Sequence, residues 1–317
     1  MRISRFRIPA ALALLLAIPA VASASPVVLT TRHVVMFVDG NKQQSASAGP
    51  GADEYGVLSA VNDGTVLVFF ADGGTTDVEA ISPSMQSRTV KRFPRVQNAF
   101  VSPSTDGFVA YDPGSQLLRR YDLQGNGVGS PIAATGAQEA LGIGNVVVVA
   151  GSGRLSVWDA GGHVRQEVIL QGSSLVALGS DRFAVIDGPD RQVRIYDTNL
   201  DRKATISYGV RPLRKLAVGP NGELAVLSGT PGCVGSDSQV DLYDDPTNSQ
   251  PRTQIRQNVA TATALAVTAD QIFVGNAGCR GETEGSLAVF GHDGATQGGL
   301  LNLGNPTGIV AFPPQGH

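Results

Sequence analysis

The residues able to do chemistry in this chain are few and scattered. Histidine occurs four times, at positions 33, 163, 292 and 317. A nucleophilic triad needs an imidazole held by packing beside its nucleophile. His163 and His292 instead fall among turn-forming residues, and no G-x-S-x-G elbow occurs. No catalytic residue is assigned. Metal sites need clustered oxygen or nitrogen ligands. The densest acidic stretch, Asp237, Asp241, Asp244 and Asp245, runs from a loop through a strand into a turn, so its carboxylates do not converge. Glu282 and Glu284 could share one face of an extended loop, but neither follows an EF-hand spacing. No metal ligand set and no cofactor are assigned; a structural Ca²⁺ is the one ion these acids leave open. Arg88, Lys91, Arg92 and Arg95 form the single basic cluster. They could hold an anion, but Lys and Arg on an outer strand also deter edge-to-edge aggregation, and that reading is preferred.

The elements that must position these groups are short strands. From Leu175 to Ile206 four apolar runs, Leu175–Leu178, Phe183–Ile186, Val193–Tyr196 and Ala204–Ile206, alternate with Gly, Asp, Asn and Pro turns. One such meander cannot bury its own faces. The unit recurs. Inner-strand triplets Ser59-Ala60-Val61, Ala99-Phe100-Val101, Leu141-Gly142-Ile143, Val176-Ala177-Leu178, Leu216-Ala217-Val218, Leu265-Ala266-Val267 and Val310-Ala311-Phe312 end 40, 42, 35, 40, 49 and 45 residues apart. These periods suit four-stranded propeller blades. A second register marks the end of the third strand: Tyr121-Asp122, Trp158-Asp159, Tyr196-Asp197, Tyr243-Asp244 and Phe290-Gly291. The ring is expected to pack between blades and the Asp to accept backbone N–H groups of the next turn. The copy at about Tyr55 to Pro94 is weakest, because Ile81-Ser82-Pro83 interrupts its third strand.

The expected fold is therefore all-β, a seven-bladed β-propeller of four-stranded antiparallel blades, with six blades as the alternative. Val27–Thr30, His33–Val38 and Gln43–Ala48 supply three strands of the closing blade, and the segment ending at Phe312 supplies the fourth. Residues 1–24 read as a signal peptide: Arg2, Arg5 and Arg7 precede the apolar run Ala10–Ile18, and Ala22-Ser23-Ala24 is a small-x-small site. Residues 25–317 read as one domain; Gly49 to Asp53 is the most linker-like stretch and too short to divide it. Cleavage removes three arginines and no acid, which takes the net charge from −3 to −6. A mildly acidic exported chain is a poor nucleic-acid binder, and no later apolar run is long enough for a membrane span. Cys233 and Cys279 are the only cysteines. Export and their equivalent places in the long loops of adjacent blades predict a disulfide.

Copies such as Leu216-Ala217-Val218-Gly219-Pro220-Asn221-Gly222-Glu223-Leu224-Ala225-Val226 and Gln192-Val193-Arg194-Ile195-Tyr196-Asp197 resemble the NHL-like and YVTN-like repeat propellers. That resemblance implies a scaffold, a binding module or an enzyme alike. The Glu, Asn and Asp metal set of gluconolactonase-like propellers has no counterpart here, since Asn62-Asp63 and Asn221 lie in turns. Trp158-Asp159 lacks the Gly-His partner of a WD repeat. With the strands of each blade lettered A to D from the axis outwards, the B–C connections and the D–A links between blades emerge at one end of the ring in a meander. They include the long loops Ser228–Ser238 and Asn276–Gly285, so the binding face is placed there. Its expected lining is Asp112, Asp187, Asp190, Arg191, Arg211, Arg280 and Glu282. The expected function is a monomeric, non-enzymatic module, periplasmic or extracellular, that binds a protein partner or small ligand. The rival is a lactonase-like hydrolase or a lyase with its site in the central channel. Intact mass of the exported protein is expected to correspond to a start near Ser25; retention of residues 1–24 would remove the signal-peptide reading.

Overall fold

The computed structural model describes residues 27–30, 34–39, 42–47, 54–60, 65–71, 74–82, 86–279 and 285–311. The signal-peptide segment, Gly49 to Asp53, Arg280 and Glu282 lie outside them. All regular structure among the described residues is β. The chain opens with β1 (Val27–Thr30), β2 (Val34–Asp39) and β3 (Lys42–Ser47). Next come β4 (Glu54–Ala60), β5 (Val66–Ala71), β6 (Thr75–Ile81), β7 (Ser87–Pro94), then β8 (Phe100–Ser104), β9 (Gly107–Asp112), β10 (Leu117–Asp122), β11 (Gly127–Ala133). They are followed by β12 (Ala137–Ile143), β13 (Val146–Gly151), β14 (Arg154–Trp158), β15 (Val164–Ile169), and by β16 (Gly172–Ala177), β17 (Arg182–Asp187), β18 (Gln192–Asp197), β19 (Arg202–Ser207). The last are β20 (Leu213–Val218), β21 (Leu224–Ser228), β22 (Gln239–Tyr243), β23 (Thr253–Ile255), β24 (Ala262–Val267), β25 (Gln271–Asn276), β26 (Ser286–Gly291), β27 (Thr296–Leu301) and β28 (Gly308–Ala311).

Each successive run of four from β4 to β27 forms an antiparallel meander. The final strand does not start a new sheet. It pairs with β1, Val28 opposite Val310, in the order β28-β1-β2-β3. The first strands β4, β8, β12, β16, β20, β24 and β28 neighbour one another in that order, and β28 returns to β4. The architecture is a closed β-propeller. The apolar triplets lie on or just beside these inner strands; their members Val61 and Phe312 fall outside the described residues.

Burial explains the pattern. The second strand of a blade is covered on both faces, so it is apolar throughout rather than alternating. Val146–Ala150 and Phe183–Ile186 are buried at every position. Between blades, the third-strand aromatics do as expected. Tyr121 meets Phe93 of the preceding blade at 5.5 Å between ring centroids. Tyr196 packs with Leu141, Val148 and Leu155, and Phe290 with Leu227 and Val240. The Asp after the aromatic is structural. Asp122 accepts the N–H groups of Gln124 and Asn126, Asp159 those of Gly161 and His163, and Asp197 those of Asn199 and Asp201. The fourth turn position is left-handed: Gly125, Gly162 and Gly294 there have φ near 82° (82, 81 and 82), which glycine adopts without strain. Leu200 takes the same place at φ 58° and is buried against the β12–β15 blade.

Two expectations are corrected. After Tyr243 it is Asp245 that accepts the turn N–H, from Thr247, whereas Asp244 pairs with Arg252 at 3.0 Å. Ile81-Ser82 does not interrupt a third strand: β6 runs seven residues and ends at Ile81.

The inner strands are tied to each other by side chains. Strands β4, β12, β16, β20 and β24 each carry a register shift near the same place, which frees backbone groups from the ladder. Neighbouring blades satisfy several of them. Glu139 accepts the N–H groups of Ser174 (2.7 Å) and Leu175 (2.8 Å), and the Ser174 hydroxyl accepts the Leu216 N–H. Arg214 donates to the Ala262 carbonyl, and Thr263 to that of Pro306. Burial holds Glu139 above the usual carboxylate range, ahead of the two N–H bonds that oppose it. Where β8 meets β12, a Cβ on Gly142 would stand 2.1 Å from the Ser104 hydroxyl, so only glycine allows the approach.

Cys233 and Cys279 form a disulfide, with Cα atoms 5.7 Å apart. It joins the β21–β22 and β25–β26 loops of adjacent blades, as expected. Closing a separation of 46 residues is worth about 4 kcal/mol in the chain-entropy account. Cys279→Ser is expected to lower the melting temperature by several degrees, and the unreduced, denatured protein should take up no thiol label. Two labelled thiols per chain would reject the bond. Truncation before Gly304 removes β28 and exposes both β1 and a gap beside β24. Aggregation or a large fall in melting temperature is expected, and an unchanged soluble protein would argue against closure.

Candidate functional site

The B–C and D–A connections do emerge together. Gln116 accepts the Ala134 N–H, Gly153 that of Leu170, Arg191 that of Tyr208 and Thr261 that of Ala277, so each hairpin loop touches the link between neighbouring blades. Beneath these links lie openings between blades. The one with most aromatic walls has a volume of about 290 Å³ and sits between the β4–β7 and β8–β11 blades. Phe69 and Phe93 form one wall; Phe100, Tyr111 and Tyr121 form the other. Phe100 and Tyr111 stack at 5.1 Å. Asp112 and Arg119 are at the exposed rim.

The rim charges are treated differently from those of other blades. Asp112 closes its own turn, accepting the Gly114 N–H at 2.9 Å and the Ser115 hydroxyl at 2.6 Å. The Ser115 hydroxyl, ahead of the Gly114 N–H and the Arg119 charge, holds its carboxyl below the usual range. Asp187 occupies the same place in its blade: Asp112 pairs in register with Leu117, Asp187 with Gln192. Yet Asp187 is buried and bonded to Arg194 at 2.5 Å, and Asp190 joins the same guanidinium at 2.6 Å. Burial pushes the Asp187 carboxyl up, against the pull of Arg194. One blade further on, the corresponding space holds a hydrogen-bonded network. Arg211 and Arg256 both donate to Gln239, Gln239 donates to Asp241, and the Tyr208 and Tyr243 hydroxyls meet at 2.9 Å. Burial raises Asp241 and Tyr208, and pushes Tyr243 up to about 12.

The described members of the expected face have separate partners. Asp112 lies at the aromatic pocket, Asp187 and Asp190 neutralise Arg194, and Arg211 holds Gln239. Arg191, at φ 51°, donates to the Val210 carbonyl at 2.5 Å. Arg280 and Glu282 are outside the described residues. The pocket's aromatic walls and Arg119 were missed by reading the loops alone; the sign was present as Phe93, Phe100 and Tyr111 beside the weakest repeat. In the basic cluster, Arg92 is bidentate to Asp77 across the strand pair, and Lys91 lies 5.0 Å from the centre of the Tyr121 ring. Lys91 also donates to the Gly125 carbonyl, so it serves the joint with the next blade. Among the described residues no group of three His, Cys, Asp or Glu is placed to hold a metal ion, and no helix is long and apolar enough to cross a membrane.

Neither a protein-family model nor a curated protein matches the sequence. Solved structures do. Kluyveromyces lactis Hsv2 aligns with a TM-score of 0.57 and 11% identity over 89% of this chain and 96% of that one. The WD40 β-propeller domain of Doa1 aligns at 0.59 and 12%, over 80% and 86%. A protein of unknown function from Bacteroides caccae aligns at 0.52 and 10%, over 91% and 98%. At these identities the likeness is one of fold, and the fold is the β-propeller.

Proposed function

We propose that this protein is a non-enzymatic, cofactor-free binding module that takes a compact, aromatic-bodied ligand into the pocket between the β4–β7 and β8–β11 blades. The observation that carries it is the pocket itself: an opening of about 290 Å³ walled by five aromatic rings, on the face where the longer loops emerge. That size is at the lower end for small-molecule sites, and an apolar lining with few polar groups is their usual chemistry. Both carboxylate oxygens of Asp112 are engaged in its turn, so its role at the rim is to shape the entrance rather than to transfer protons.

Seven blades, rather than six, is the count supported by the cyclic order of the inner strands and by the sheet that combines β28 with β1, β2 and β3. An NHL-like or YVTN-like repeat origin rests on the repeated triplets alone. Export to the periplasm or medium is supported by the basic and apolar segments before Ser25 and by the disulfide between the only two cysteines. A monomer is proposed, because the disulfide and ring closure are both satisfied within one chain.

Ligand-observed NMR with the neutral phenyl compound 3-phenylpropionamide tests the pocket. Binding by the mature protein is expected, with loss in Ala99→Phe, whose ring fills the opening from the link between β7 and β8. Melting temperature should stay within a degree or two of the parent. Absence of binding, or binding unchanged by Ala99→Phe, would reject this site.

A further inference from the structure

Arg119 and Arg194 hold the same place in two blades. Each lies two residues before the third-strand aromatic, Tyr121 and Tyr196, and each blade has an Asp at the end of its second strand, Asp112 and Asp187. In the β16–β19 blade the space is closed by an ion pair. Arg194 is flanked by Asp187 at 2.5 Å and Asp190 at 2.6 Å. In the β8–β11 blade the counterpart of Asp187 bonds within its own turn rather than to the arginine. Asp112 is tied to Gly114 and Ser115, and position 115 carries a serine where the other blade has Asp190. The Arg119 side chain is exposed and makes no hydrogen bond or ion pair with a described residue, although its charge is felt at Asp112. Behind it, the space that a carboxylate fills in the other blade is the open aromatic pocket.

We infer that Arg119 is the anion-reading residue of this pocket, and that the ligand is a small aromatic carboxylate. The inference rests on the pocket reading above and adds its charge specificity. The ring of the ligand packs among Phe93, Phe100 and Tyr111, and its carboxylate takes the position on the guanidinium that Asp187 takes on Arg194. A guanidinium binds a carboxylate through two parallel N–H bonds, and an apolar surround strengthens the pair. An aliphatic cation is disfavoured, since the only rim carboxylate among the described residues is already bonded twice. Phosphorylated ligands are disfavoured as well, because one guanidinium leaves most of their charge unmatched.

The test compares two probes that differ only in charge, 3-phenylpropionate and 3-phenylpropionamide, by isothermal titration of the mature protein at low ionic strength. The carboxylate is expected to bind about tenfold more tightly than the amide. Arg119→Gln should abolish that preference with the melting temperature unchanged, since Arg119 is exposed. Raising the salt concentration should weaken the carboxylate selectively. Equal affinities of the two probes, or a preference that survives Arg119→Gln, would overturn the inference and leave the pocket reading standing. Failure of both probes to bind would overturn both.

Discussion

A four-stranded antiparallel meander has two faces, and no meander in this chain can cover both from within itself. Every blade therefore depends on its neighbours. The apolar residues of the second strand, such as Val146–Ala150, are buried because one face meets the blade before and the other the blade after. Aromatic residues at the third strand's end span the same interfaces: Tyr121, Tyr196, Tyr243 and Phe290 each pack on the preceding blade. Near the axis the joints change in kind. There the strands bulge, and Glu139, Ser174, Arg214 and Thr263 bridge from one inner strand to the next by hydrogen bonds. Apolar contact holds the blades at their waists, and polar contact holds them at the centre.

The features written most plainly in the sequence are those that the repeat imposes on every copy. The triplets mark inner strands because each inner strand is enclosed in the same way. Asp122, Asp159 and Asp197 mark turns because each carboxylate meets the same pair of N–H groups. Departures were harder to see. Asp244 follows the aromatic in register, yet the extra acid Asp245 takes the turn and frees Asp244 for Arg252. The disulfide was legible because two long loops in adjacent blades had cysteines at matching depth and no others competed.

The binding face was legible as an end of the ring, but its chemistry was not. Asp112 and Asp187 are the same letter at the same place in the repeat, and so are Arg119 and Arg194. Their difference arises from the short hairpin that follows. Asp112 finds Ser115 within reach, while Asp187 has Asp190 beside it and an arginine to share. A spacing rule cannot distinguish a carboxylate that bonds to its own turn from one that bonds across the strand. That choice depends on the competition between a local hydroxyl and a guanidinium.

The pairing of β28 with β1 also has a consequence in time. The strand that completes the first sheet is made only after β4 to β27. Until then β1 has an open edge, and the inner strands β4 and β24 each lack a neighbour. Contacts between residues so distant in sequence form slowly, and unpaired edges are open to other chains while they wait. A nascent chain of this design is therefore at its most vulnerable just before β28 emerges, and chaperone occupancy should be greatest on the segments flanking that gap.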